Sequence, residues 1–239
     1  MNLVMVKKKN LIFLFVFMLT QIFALEQAFL TEGEAKALLE IILDQSHFSI
    51  EEKRVAFKTL CSRSPKTEPT YILYCSPEEI DRIREVPSSI YAEIVKSMTI
   101  SCVDAFVYDF EKRAYLMIQR ITAPAKGKWW MPGGRIFKGE SFYESAVRKT
   151  KKESGLDICP IAQLGTYSTY FSESAWGSNV HTDTKATVIL ALCNNQIPSC
   201  DEHHQAFMWV PIDEALDDPY LLAVYKEARA KFAELGFAN

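Results

Sequence analysis

The segment 134–156, GRIFKGESFYESAVRKTKKESGL, constrains this chain more than any other. Gly134 and Gly139 bracket a tight loop that feeds a helix over Ser141 to Ser154. Glu140 lies at the helix start, beside the positive end of the helix dipole. Gly155 ends the helix as a left-handed cap. Lys149, Lys152 and Glu153 stand at i, i+3 and i+4, hence on one face. A metal-dependent phosphate enzyme wants carboxylates on such a face, because Mg2+ takes hard oxygen ligands and shares them with substrate phosphates. Here only Glu153 supplies one.

The chain of 239 residues is long enough for one sizeable core, and its length permits one or two domains. Apolar and charged fractions of 49% and 24% are ordinary for a soluble globular protein. A net charge of −3 gives no reason to expect nucleic acid, because a general DNA or RNA binder carries a basic surplus. A small-molecule partner is expected instead. Six cysteines are scattered without a C-x-x-C pair, which is poor spacing for zinc, and buried free thiols are the preferred reading.

Residues 1–28 read as a signal peptide or membrane anchor. Lys7, Lys8 and Lys9 precede the uncharged apolar run Leu11 to Leu25, the layout of a secretory signal. The run is short for a bilayer, which usually wants about 20 apolar residues. A buried helix, or an extension upstream of a true start at Met18, are the competing readings. Export or membrane contact through residues 11–25 follows from the first reading, and a cytoplasmic location from the others.

Residues 29–97 form a helical N-terminal region. Thr31 with Glu34, Ser49 with Glu52 and Ser76 with Glu79 each have the spacing of a capping box, and Pro77 suits a first helical position. Pro87-Ser88-Ser89 breaks the chain before IYAEIVKSM. From residue 98 to 230 the pattern changes. TISCVDAFVYDF and RAYLMIQR predict a hairpin, ITAPAKGKWWMPGG a loop, TYSTYF and TKATVILAL strands, and Pro211 to Ala230 mostly helix. This order argues for an α+β fold, a sandwich built on a mixed sheet.

The 134–156 segment resembles the Nudix box: Gly, five residues, Glu, seven residues, Arg-Glu, an apolar residue, any residue, Glu-Glu, any residue, Gly, apolar. Gly134, Glu140, Arg148, Glu153, Gly155 and Leu156 fall in register. Lys149 and Lys152 stand where the usual box has metal-binding glutamates, and Thr150 replaces an aliphatic residue. The wider stretch, with VDAFV, QRITAPAKGKWW, MPGGR and CDEHHQAFMWVPIDEAL, is similar to the GDP-mannose mannosyl hydrolase branch over roughly residues 88–225. That branch keeps the final glutamate while lacking the other two.

The resemblance implies an α/β/α sandwich and hydrolysis of a GDP-sugar to GDP and free sugar by water attack at the anomeric carbon. One Mg2+ would be held by the Gly133 carbonyl, Glu153 and His203. His203 stands where the branch has an amide, so Mn2+ is an alternative, imidazole being the softer ligand. His204 would be the general base, since imidazole suits proton abstraction from water near neutral pH. Arg120 and Arg135 would neutralise the leaving diphosphate by charge-assisted hydrogen bonds, and Asp104 matches an acidic position near the sugar. Lys149 and Lys152 admit two readings: phosphate contacts replacing a lost metal's charge, or a solvated face of a decayed site. Arg148 is expected to pair with a box carboxylate, and Trp129 and Trp130 to be core. The partner is a nucleotide-sugar, with a second copy of the chain, as a homodimer, also admitted. A general Nudix pyrophosphatase and an inactive Nudix ligand-binding domain are the alternatives.

Overall fold

The computed structural model describes residues 29–44, 47–81, 86–177 and 179–235. The expected signal or anchor at residues 1–28 lies outside the described residues. Among the described residues, no helix is long and apolar enough to cross a membrane.

The described residues divide into two compact units, one from the stretch up to Pro65 together with those from Ala230 on, the other from Lys66 to Arg229. In the first, α1 (Glu32–Leu43) and α2 (Ile50–Arg63) each open on a complete capping box, Thr31 with Glu34 and Ser49 with Glu52. Each box satisfies backbone N–H groups that a helix start otherwise leaves unpaired. Leu38, Leu39 and Ile42 of α1 are buried, as are Ala56, Phe57 and Leu60 of α2.

The second unit carries a mixed sheet. Its strands are β1 (Ile100–Asp109), β2 (Ala114–Arg120), β3 (Trp129–Trp130), β4 (Gly133–Arg135), β5 (Cys159–Phe171), β6 (Thr182–Cys193) and β7 (His204–Pro211). The order is β3-β2-β1-β6-β5, with β4 pairing β1 and β7 pairing β2. β1 and β6 run parallel, whereas β1–β2, β2–β7 and β5–β6 are antiparallel. Central strands covered on both faces read as continuous apolar runs. β1 shows this, being buried at every position except Ser101. Helix α3 (Ser88–Ser97) precedes the sheet, α4 (Phe142–Ser154) follows β4, and α5 (Pro219–Glu234) follows β7. Tyr143, Ala146 and Leu156 pack with Val103, Ala105, Leu116 and Ile189 into the main apolar cluster, which fixes α4 against the sheet.

The α+β expectation holds, with local differences. Ser76 opens only a short 3-10 turn, Pro77–Glu79, although Glu79 reaches back to the Ser76 N–H. β7 lies where the sequence pattern gave no strand, and residues 211–218 are not helical. The strand pattern there is masked by the polar start at His204 and Gln205 and ends at Pro211. β3 and β4 are too short to show a period within an expected loop. Of the cysteines, Cys102, Cys159 and Cys193 are buried, Cys61 and Cys200 intermediate and Cys75 exposed, all as free thiols.

Candidate active site

Helix α4 positions the polar centre. Ser141 caps it with Glu144 in a full box, and Gly155 ends it in the left-handed conformation. Arg148 stays within the supporting frame, as expected. Its Nε and Nη2 donate to the Glu140 carboxylate at 2.5 and 2.7 Å, Nη2 also donates to the Arg135 carbonyl at 3.1 Å, and the guanidinium lies 3.8 Å over the Phe137 ring. Glu140 accepts the Phe137 N–H at 3.0 Å as well. Burial works to raise the Glu140 carboxyl, but the Arg148 and Phe137 hydrogen bonds hold it below its ordinary range. This brace fixes the loop 135–140 against the helix.

Glu153 and Lys149 face the sheet together. Glu153 accepts the Gly133 N–H at 2.9 Å and forms an ion pair with Lys149 Nζ through its other oxygen. Both are largely withdrawn from water, with side chains 6% and 17% exposed. Lys152, expected on the same face, is exposed instead. The backbone above is shaped for this pair. Gly134 has φ 138, and a Cβ there would lie 2.9 Å from Lys149 Cε and 3.0 Å from Nζ. A Cβ on Gly133 would strike Asp104 Oδ1 at 1.9 Å. Only glycine fits either place.

Asp104, in the centre of β1, accepts a 2.6 Å hydrogen bond from the Tyr220 hydroxyl of α5. Tyr220 in turn stacks on Trp130 with centroids 4.9 Å apart. Burial pushes the Asp104 carboxyl up to about 6, opposed by the Tyr220 hydrogen bond and reinforced by the Glu153 charge. Burial, then Asp104, also raises the Tyr220 hydroxyl.

A cavity of about 240 Å3 opens on this centre, lined among others by Asp104, Arg120, Gly133, Gly134, Arg135, Tyr91 and Trp176. That is below the roughly 300–1,000 Å3 of pockets that enclose a whole ligand, so it has room for only part of one. Arg120 Nε donates to the Pro124 carbonyl at 2.8 Å, and the Arg135 guanidinium lies 4.3 Å over Tyr91. Tyr91 meets Trp176 edge-on at 5.2 Å. Burial and then Asp104 push the Cys102 thiol up to about 12, while Lys149, Arg135 and Arg120 all oppose the shift. Arg120 and Arg135 line the cavity together with Cys102.

His203 and His204 do not line this cavity. They lie where β7 begins, with His204 opposite Arg120 in the β2–β7 register. His204 is buried and its Nδ1 is 2.6 Å from Asp201, whereas His203 is exposed and lies 3.5 Å from Glu202. The structure thus brings together Asp104, Arg120, Gly133, Arg135, Lys149 and Glu153, and leaves His203, His204 and Lys152 outside. Among the described residues, no three His, Cys, Asp or Glu side chains are grouped to hold a metal ion. The side chains present do not fit a divalent ion at Glu153, because an ammonium and an N–H group already take its two oxygens. Tyr91, Trp176 and Tyr220 are further lining or supporting residues that no motif marks.

The family model for the NUDIX domain matches residues 98–234. The chain is 28% identical over 89 residues to the low-salt glycan biosynthesis protein Agl8 of Haloferax volcanii, covering 37% of this chain and 56% of that protein. It is 27% identical over 141 residues to Nudix hydrolase 6 of Arabidopsis thaliana, covering 58% of this chain and 47% of that protein. The chain thus spans about half the length of these two curated relatives. Among solved structures, the MutT protein from Methanosarcina mazei Go1 is similar at 20% identity, with a TM-score of 0.46, over 56% of this chain and 95% of that one.

Proposed function

Because the chain belongs to the NUDIX domain family of hydrolases, we propose that it hydrolyses a nucleoside diphosphate derivative, a GDP-sugar such as GDP-mannose in the first instance, to GDP and free sugar. The observation that carries this reading is the cavity wall, on which two guanidinium side chains, Arg120 and Arg135, stand with one acid, Asp104. Attack on phosphorus benefits from several metal ions spread over the developing charge. Glu153, the α4 acid that meets the Gly133 N–H, is already paired with Lys149. Attack on the anomeric carbon asks less, since the diphosphate leaves intact and needs only its charge neutralised. Arg120 and Arg135 on the cavity wall supply that neutralisation by charge-assisted hydrogen bonds. The similarity to a glycan biosynthesis protein supports a sugar-bearing substrate.

Nudix enzymes generally use divalent metals such as Mg2+. Holding one through the Gly133 carbonyl, Glu153 and His203 would require Lys149 to leave Glu153 and the His203 segment to move. In this reading His204 is the base, oriented by Asp201, and Asp104 stands at the sugar end of the cavity. Membrane contact through residues 11–25 and self-association are separate proposals, read out by fractionation and by sedimentation.

The test is turnover of a nucleotide-sugar panel by the full-length chain in H2(18)O. The expected result is label in the free sugar and none in the nucleotide. A nucleoside monophosphate product, or label on phosphate, would replace this reading with a pyrophosphatase. No turnover and retained nucleotide binding would replace it with a binding domain.

A further inference from the structure

In the usual Nudix box the positions of Lys149 and Lys152 carry acids, and the two substitutions have separate fates. Lys152 is exposed, whereas Lys149 runs under Gly134 and ends on the buried Glu153 carboxylate. An ammonium is a compact point charge, and here it is held by a carboxylate on one side and by close-packed backbone on the other. The close approach depends on Gly134, since any Cβ there would meet Lys149 Cε at 2.9 Å. The lysine is thus accommodated beneath the loop with its ammonium held on Glu153.

We propose that the Lys149 ammonium is the resident cation of this site, standing at Glu153 in place of a divalent metal ion. The positive charge beside the cavity is then set by the chain itself. Arg120 and Arg135 line the cavity, and Lys149 lies beneath Gly134, itself a lining residue. Binding of a diphosphate at the cavity wall is accordingly independent of metal, a consequence that rests on the nucleotide reading given above. The inference explains why Glu153 suffices as the one acid among positions 149, 152 and 153. Glu153 holds Lys149 and the Gly133 N–H in register, and no further oxygen ligands are needed.

Two measurements on the full-length chain decide it. The first uses Mn2+ alone, followed by the electron paramagnetic resonance of the free ion and by melting temperature. Lys149→Glu places carboxylates at i and i+4 on one helix face, the arrangement a hard cation wants. It should bind one Mn2+ at least about tenfold more tightly than the wild type. Its melting temperature should rise with Mn2+ concentration while that of the wild type stays fixed. A Lys149→Glu chain that folds only when Mn2+ is present supports the proposal equally. Wild type binding one Mn2+ as tightly as the variant would overturn it.

The second measurement is GDP binding by calorimetry, with EDTA or with Mg2+. Equal affinity in both media is expected for the wild type. Lys149→Met, which keeps the length but not the charge, should weaken GDP by about tenfold or more, and Lys149→Arg should recover most of the loss. Wild-type GDP binding abolished by EDTA would overturn the proposal. Absence of GDP binding in every medium would instead remove the nucleotide reading, and the Mn2+ titration would still decide what occupies Glu153.

Discussion

The Glu68 carboxylate accepts a 3.1 Å hydrogen bond from the Tyr143 N–H, joining a residue ahead of the sheet to the first turn of the helix that carries Glu153. Its other oxygen accepts the Phe142 N–H at the same distance, and the residue is only 4% exposed. Ser141 caps the Glu144 N–H, so the start of α4 is satisfied from two directions.

Glu68→Ala should therefore destabilise the second unit by about 1–2 kcal/mol, the usual worth of a cap reinforced by the helix dipole. Glu68→Gln, which keeps one acceptor and loses the charge, should fall between. Chemical denaturation of the three proteins checks this order. Equal stability of Glu68→Ala and wild type would show that Ser141 suffices alone.

How far the sequence discloses such features depends on whether the signal is local. The α4 helix, its Ser141 start, its Gly155 stop and the Glu140–Arg148 pair are all written within one short segment, and each forms as expected. The boxes at Thr31 and Ser49 were legible for the same reason. Glu68 was not, because its partners are 74 and 75 residues away. Tyr220 is further still from Asp104, at 116 residues, and nothing in its neighbourhood distinguishes it from a core aromatic. The Lys149–Lys152 pair shows a different limit. Helical spacing places both on one face, yet a face has a buried half and a solvated half, and only packing against β4 decides which lysine is inside.

Asp104 yields a prediction in pH. Its folded value of about 6 lies above the ordinary 3.8, so the fold holds this proton more tightly than the unfolded chain does. The stabilisation is fully present below about pH 3.8 and is lost as pH rises through about 6. Above that, the ionised carboxylate beside Glu153 is a burden. Asp104→Asn removes the burden and can still accept from Tyr220. At pH 7.5 it should exceed the wild type by up to about 3 kcal/mol, at about 1.36 kcal/mol per pKa unit. The advantage should vanish below pH 4. Melting temperatures across that range would refute this by showing a constant difference.

The Arg148–Glu140 brace predicts that lysine is a poor substitute for arginine. Arg148 makes two bonds to one carboxylate, a third to the Arg135 carbonyl and a stacking contact on Phe137. A lysine keeps the charge but loses the planar fork and the stacking. Arg148→Lys should cost about 1–3 kcal/mol. A double-mutant cycle with Glu140→Gln should show strong coupling, and simple additivity would mean that the pair does not act as a unit.

The two adjacent histidines should behave differently, because their side chains diverge where β7 begins. His204 turns inward, its side chain 2% exposed and its Nδ1 on Asp201, while His203 is 50% exposed. Asp201 therefore fixes the orientation of the His204 ring, the service a general base needs from a neighbouring carboxylate. His204 also faces Arg120 across the strand pair, one residue from the cavity wall. His204→Ala should lower kcat by roughly 10² to 10⁴, the usual worth of general-base catalysis, with KM little changed. Added imidazole should restore part of the loss. Asp201→Asn should lower kcat less, since it disturbs orientation and leaves the base present. His203→Gln should keep turnover, its ring being outside both the cavity and the Asp201 pair. A His204→Ala protein that loses stability but not turnover would make His204 an anchor for β7, and the base would then be sought at Asp104, the titrating carboxylate on the cavity wall.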